Sequence, residues 1–189
     1  MLQGVGFVAN VLRKSNLSFG LPLICGGLKL SLISNENIFS IMPFKGKNIE
    51  VSKKLQDHLD LSLPNPNQKV SGSKMQIIWT GLDQWFIINC KSLDLQNLLS
   101  HCAAITDQTD GWVRLLLNDT HNYDVMARLC PVEPALNKII KTQVAGMMAL
   151  VLFDKSGVEM FFMRSMIETA IMEIELSMKS INAQKLKYG

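Results

Sequence analysis

From Lys74 onward the sequence repeats one order of elements, two short strands followed by a helix, and this order limits the chain to few architectures. The first round predicts a strand over 75–79, a tight turn carrying Gly81 and Asp83, a returning strand over 85–89, and a helix over 92–101. The second predicts a strand over 104–108, a polar turn, a strand over 112–117 and a helix over 120–129. The third predicts strands over 147–153 and 158–163, joined by a Lys155-Ser156-Gly157 turn, and a helix from Ser165 to about Lys179. Connections this short join antiparallel strands, so the expected class is α+β: antiparallel sheets with helices on one face.

Side-chain spacing supports the helices. Ser92 suits an N-cap, and Leu95, Leu98, Leu99 and Cys102 line one face. Asp119 or Thr120 suits the next cap, ahead of a stripe of Tyr123, Met126, Ala127 and Cys130. Ile167, Ile171, Ile174 and Met178 keep an amphipathic rhythm in the last helix. Nearer the start, Leu28-Lys29-Leu30-Ser31-Leu32 alternates like a half-buried strand. Pro43 and Gly46 mark a turn within 42–48, and Val51, Leu55 and Leu59 define a short helix with Lys53, Lys54 and Asp57 outward. Leu63-Pro64-Asn65-Pro66-Asn67 ends that helix, with an irregular connection to Ser73. The expected organisation is an N-terminal part, 1–72, a core of repeated units, 73–181, and a fraying polar tail, 182–189, forming one compact unit.

Hydrophobic residues at 48% against charged residues at 19% give a globular chain with a large core or a greasy patch for a partner. A formal charge of +3 with scattered basic residues forms no stripe for nucleic acid. Cys25, Cys90, Cys102 and Cys130 lie far apart without zinc-ligand spacing, which reads as reduced thiols of a cytoplasmic protein. The opening apolar residues lack a basic n-region and a cleavage site, so they do not read as a signal peptide. The longest apolar run, 144–153, is about half a membrane span, so no membrane association is expected.

The chemistry of catalysis is hard to find. Gly4-Val5-Gly6 and Gly26-Gly27 complete no phosphate-binding loop. His58, His101 and His121 have no partner at metal-ligand spacing. Cys130 precedes Pro131 at a helix C-terminus, where the dipole disfavours a thiolate. Asp107 and Asp110 are available as an acid/base pair, but turns recruit aspartates for local hydrogen bonds. Arg114, on a strand with Trp112 and Leu116 on the same face, and Arg164, beside Ser165, are each open to two roles: pairing with Asp107 or Asp110, or meeting a carboxylate of another subunit. Trp79 and Trp85 flank a turn, as core packing or as anchors for a partner.

Taken in order, Trp79-Thr80-Gly81-Leu82-Asp83-Gln84-Trp85, Ile105 to Gly111, Arg128-Leu129-Cys130-Pro131, Gln143-Val144-Ala145-Gly146 and Arg164-Ser165-Met166 resemble the gamma subunit of heterotetrameric, folate-dependent sarcosine oxidases. The similarity covers about 75–178 and, more loosely, 39–66. It implies a reduced aminomethyltransferase-like fold without catalytic residues in this chain. It further implies alpha, beta and delta partner chains carrying FAD, FMN, NAD and zinc, and a complex that converts sarcosine to glycine with tetrahydrofolate and oxygen. This chain would brace the folate-binding alpha chain. The Lys-Gly-Cys-x-x-Gly-Gln-Glu segment of related iron-sulfur assembly proteins is missing here, since the local sequence is Arg128-Leu129-Cys130-Pro131-Val132-Glu133. The alternative is a stand-alone folate-binding, aminomethyltransferase-like protein. High apolar content also predicts a concentration-dependent homodimer when the chain is isolated.

Overall fold

A computed structural model describes residues 19–34, 37–118 and 121–188 of the chain. The expected cap at Asp119 or Thr120, the Gly4-Val5-Gly6 segment and the opening apolar residues lie outside these. Among the described residues, eleven strands form two sheets. Strands β1 (Leu23–Cys25), β2 (Leu28–Leu32), β8 (Trp112–Asn118), β11 (Gly157–Met163), β10 (Met147–Asp154) and β9 (Ile139–Val144) make up one, in that spatial order. The other has the order β4 (Lys69–Ser71), β5 (Gln76–Gly81), β6 (Gln84–Ile88), β3 (Ile38–Pro43), β7 (Ala103–Asp107). Every pairing between these strands is antiparallel.

The sheets pack face to face, and each carries helices on its outer face. Between them Ile38, Ile78, Phe86 and Ile88 of the five-stranded sheet meet Ile139, Leu150, Leu152 and Phe161 of the six-stranded one. Helices α3 (Asn122–Leu129) and α4 (Ile167–Tyr188) cover the six-stranded sheet through Val125, Met126, Ile167, Ile171, Ile174 and Met178. Helices α1 (Asn48–Leu59) and α2 (Ser92–Leu99) cover the other through Val51, Leu55, Leu95 and Leu99. The unbroken apolar run of β10 follows directly. Met147, Ala149, Val151 and Phe153 face the helices while Leu150 and Leu152 face the opposing sheet, so neither side calls for polar residues.

The α+β class and the strand-strand-helix rounds stand as expected. Four details differ. Strands β1, β3, β4 and β9 are additional; β4 and β9 are short or half-buried edge strands, and Gly26-Gly27 forms the β1–β2 turn. The residues before 72 are woven into both sheets, since β2 pairs with β8, and β3 lies between β6 and β7. On α3 the buried face is Asn122, Val125 and Met126, because α4 lies across it and Ser177 Oγ donates to the Val125 carbonyl at 3.1 Å; Tyr123 and Ala127 are exposed. The expected polar tail is instead the last turns of α4, held by the burial of Ile181 against the core. None of the described helices is long and apolar enough to cross a membrane.

Candidate functional site

The Trp79–Trp85 segment forms the β5–β6 hairpin, with Trp79 and Trp85 directly opposite each other and an irregularity between Trp79 and Gly81. Asp83 adopts φ 49° at the tip, a conformation that Asn, Asp and Gly tolerate best. Its carboxylate accepts a 2.8 Å hydrogen bond from Asn48 Nδ2 at the start of α1. Inside the hairpin Thr80 Oγ1 donates to the Gln84 carbonyl at 3.1 Å.

The second segment forms the β7–β8 connection. Asp107 accepts the Thr109 backbone N–H at 2.9 Å, closing a local turn, and the buried Thr109 hydroxyl accepts the Ile38 N–H at 3.1 Å. Arg164, in a 3-10 turn over Arg164–Met166, donates its backbone N–H to Gly111 O at 2.9 Å and its Nε to Asp110 O. Its terminal nitrogen is 3.8 Å from the Asp110 carboxylate. The two aspartates are thus occupied by the loop itself and by Arg164.

These segments converge on one end of the two-sheet layer. Inward-facing residues of the six-stranded sheet form rows across its strands: Trp112 opposite Met163, then Arg114, Phe161, Leu150 and Lys141, then Leu116, Glu159, Leu152 and Ile139. The last two rows contribute to the packed interior, but Met163 is 49% exposed, as is Met148, at 47%, on the inward face of β10. On the opposing sheet Met42, on the same strand face as Ile38, is 46% exposed. The sheets therefore end in an open cleft of about 160 Å³. Its floor is Phe86, Trp112, Leu150 and Met163; its polar groups are Thr80, Gln84, Gln108 and Lys141. Phe86 and Trp112 meet edge to face, with ring centroids 5.4 Å apart.

Thr80, Gln84 and Gln108 belong to the two segments singled out by sequence, and Arg164 and Asp110 buttress their edge. Phe86 carried no sequence signal beyond its strand, and Lys141 lies on β9, a strand that the sequence did not lead one to expect. Trp79 is half-buried and packs against both adjoining cores. Trp85 is 7% exposed and donates its indole N–H to Pro64 O at 2.9 Å, so it presents nothing to a partner. Arg114 is buried too, and its ion-pair partner is Glu159, not Asp107 or Asp110. Cys130 sits at the C-terminal cap of α3, buried beside Thr142 Oγ1 at 3.9 Å; burial pushes its thiol above the ordinary cysteine range, away from nucleophilic chemistry.

Among the described residues, neither the cleft nor the hollows between α3 and α4 join a free nucleophile to a base; Ser177, which lines one of them with Glu173, donates its hydroxyl to the Val125 carbonyl. The shallow groove of about 590 Å³ between α3 and α4 is lined by His121, Asp124, Arg128 and Lys185 among others, where His121 Nδ1 lies 2.9 Å from the Asp124 carboxylate in the open. No group of three or more His, Cys, Asp or Glu among the described residues could hold a metal ion.

No family profile and no curated protein sequence matches this chain. Solved structures do. It superposes on a chain of the heterotetrameric sarcosine oxidase from Corynebacterium sp. U-96, in complex with pyrrole 2-carboxylate, with a TM-score of 0.72 and 17% identity, over 82% of this chain and 85% of that one. It also superposes on the glycine cleavage system aminomethyltransferase T from Bartonella henselae, with a TM-score of 0.55 and 11% identity, over 77% of this chain. This chain has the aminomethyltransferase-like fold. The matched part is 44% of that aminomethyltransferase.

Proposed function

We propose that this chain is a non-catalytic, gamma-type subunit of a sarcosine oxidase-like complex, bracing the folate-binding alpha chain. The observation that carries the reading is the match in extent: 82% of this chain superposes on 85% of a chain of a heterotetrameric sarcosine oxidase, so most of each chain shares one fold. The open cleft offers the Gln84 and Gln108 amides, the Thr80 hydroxyl bonded back to the Gln84 carbonyl, and the Lys141 ammonium, groups suited to polar contact with a partner. The complex would oxidise sarcosine to glycine, with tetrahydrofolate and oxygen as co-substrates. FAD, FMN, NAD and zinc would belong to the alpha, beta and delta chains.

A stand-alone folate protein fits the residues less well. Pockets for molecules of drug size run to about 300–1,000 Å³; the cleft at the recognised segments, about 160 Å³, suits a single side chain or a small ring, and the groove of about 590 Å³ between α3 and α4 has the volume but is shallow and open. Purification of the tagged chain from cells that express it naturally tests the proposal. A yellow, sarcosine-oxidising assembly is expected. Recovery of the chain without flavoprotein partners, together with saturable tetrahydrofolate binding in the micromolar range, would favour the folate protein instead.

A further inference from the structure

Among the described residues the open end of the sheets is an interior face that runs out of cover. The row holding Arg114, Phe161 and Leu150 is buried, yet the next row outward leaves Met163 and Met148 about half exposed beside the half-buried Trp112. Methionine and tryptophan are adaptable, amphipathic contact residues, and a patch of them set in polar surroundings marks an interaction surface. Lys141 is the one charged residue lining the cleft. Its ammonium has no hydrogen bond or ion pair among the described residues, so it is available to an incoming carboxylate.

We propose that this end is where the flavoprotein chain of the complex docks, through a segment that inserts an apolar side chain beside Met163 and Trp112 and sets a carboxylate against Lys141. The proposal rests on the reading of the chain as a subunit of a flavoprotein assembly, and deepens it by naming the surface and the chemistry of the partner. Charge complementarity favours a hetero-partner over a second copy. A two-fold contact through the same patch would bring Lys141 towards its own copy, with no carboxylate in the cleft lining to offset it. The cleft volume, about 160 Å³, accepts one such side chain.

The test uses the full tagged chain in its natural host. A photo-crosslinking residue is placed at Met163 and, as a control, at Leu186 on α4, which is 83% exposed. Lys141→Glu and Met163→Glu are compared with the native chain for flavin recovered per mole of tagged protein, with circular dichroism confirming that each folds. The expected result is a crosslink from position 163 to a flavin-carrying chain, at a peptide with Asp or Glu next to an apolar residue. Flavin recovery should fall about tenfold or more in Lys141→Glu. Undiminished recovery in both variants, or a crosslink from position 163 only to a second copy of this chain, overturns the docking surface and leaves the subunit reading intact. Failure of the native chain itself to recover flavin overturns both.

Discussion

Arg114 reaches from β8 to Glu159 on the neighbouring β11, with Nε 2.7 Å from the carboxylate, and the two side chains are only 7% and 12% exposed. The guanidinium also lies 5.2 Å from the centre of the Phe161 ring, directly opposite Arg114 in the register. Removing one member of such a pair leaves the other charge buried. Arg114→Met, which strips the buried Glu159 carboxylate of its guanidinium, should therefore cost about 3–5 kcal/mol in urea unfolding, while the double change Arg114→Met with Glu159→Leu should cost much less. Strictly additive losses would show that the pair is not coupled.

Lys69 of β4 and Asp154 at the end of β10 tie the two sheets together at 2.7 Å. The hydrogen bond from Lys69 is the main cause that holds the Asp154 carboxyl below its ordinary value. A carboxyl whose value is lower in the folded state stabilises the fold above its unfolded value and loses that contribution as the pH falls through the folded one. Lys69→Met should thus cost about 0.5–1 kcal/mol at neutral pH, allowing for the partial solvent access of the pair. The gap between variant and native protein should close as the pH drops below about 3.9. A gap of constant size from neutral to strongly acid conditions would rule out the ion pair as its source.

Burial raises the thiols of Cys90 and Cys130 above the ordinary cysteine value, and Cys102 is fully buried, whereas Cys25 is only partly covered. Timed alkylation with iodoacetamide, followed by mass spectrometry, should modify Cys25 first and the other three only as the protein unfolds. Early labelling of Cys130 would contradict its packing against the sheet.

Trp85→Phe removes the indole N–H that satisfies the Pro64 carbonyl, and should destabilise the chain by about 1–3 kcal/mol in chemical denaturation. Trp79, which is only half-buried, should tolerate the same change better. Equal losses at the two positions would mean that the hydrogen bond contributes nothing.

Where apolar residues recur at a helical period, the sequence was informative. Val51 and Leu55, Leu95 and Leu99, and Ile167, Ile171 and Ile174 all face the cores that their spacing predicts. Legibility failed where partners are distant in sequence. β3 owes its central place to β6 and β7, some tens of residues downstream, and Ile139 to Val144 becomes a strand only because β10 lies alongside. The last turns of α4 read as a polar tail because Ile181 is the one buried residue among 181–187. The cleft was half visible: Thr80, Gln84 and Gln108 lay within recognised turns, but Lys141 joins them only through the register of β9 and β10. Which carboxylate answers Arg114 was equally hidden, since Glu159 stands 45 positions away.

The most direct measurement is sarcosine-dependent oxygen uptake, with the flavin absorption spectrum, of this chain purified alone and of the assembly recovered with it. The account predicts a colourless, inactive single chain and a yellow, active assembly. Turnover of any methylated amine by the lone chain, or a flavin bound to it, would contradict the account.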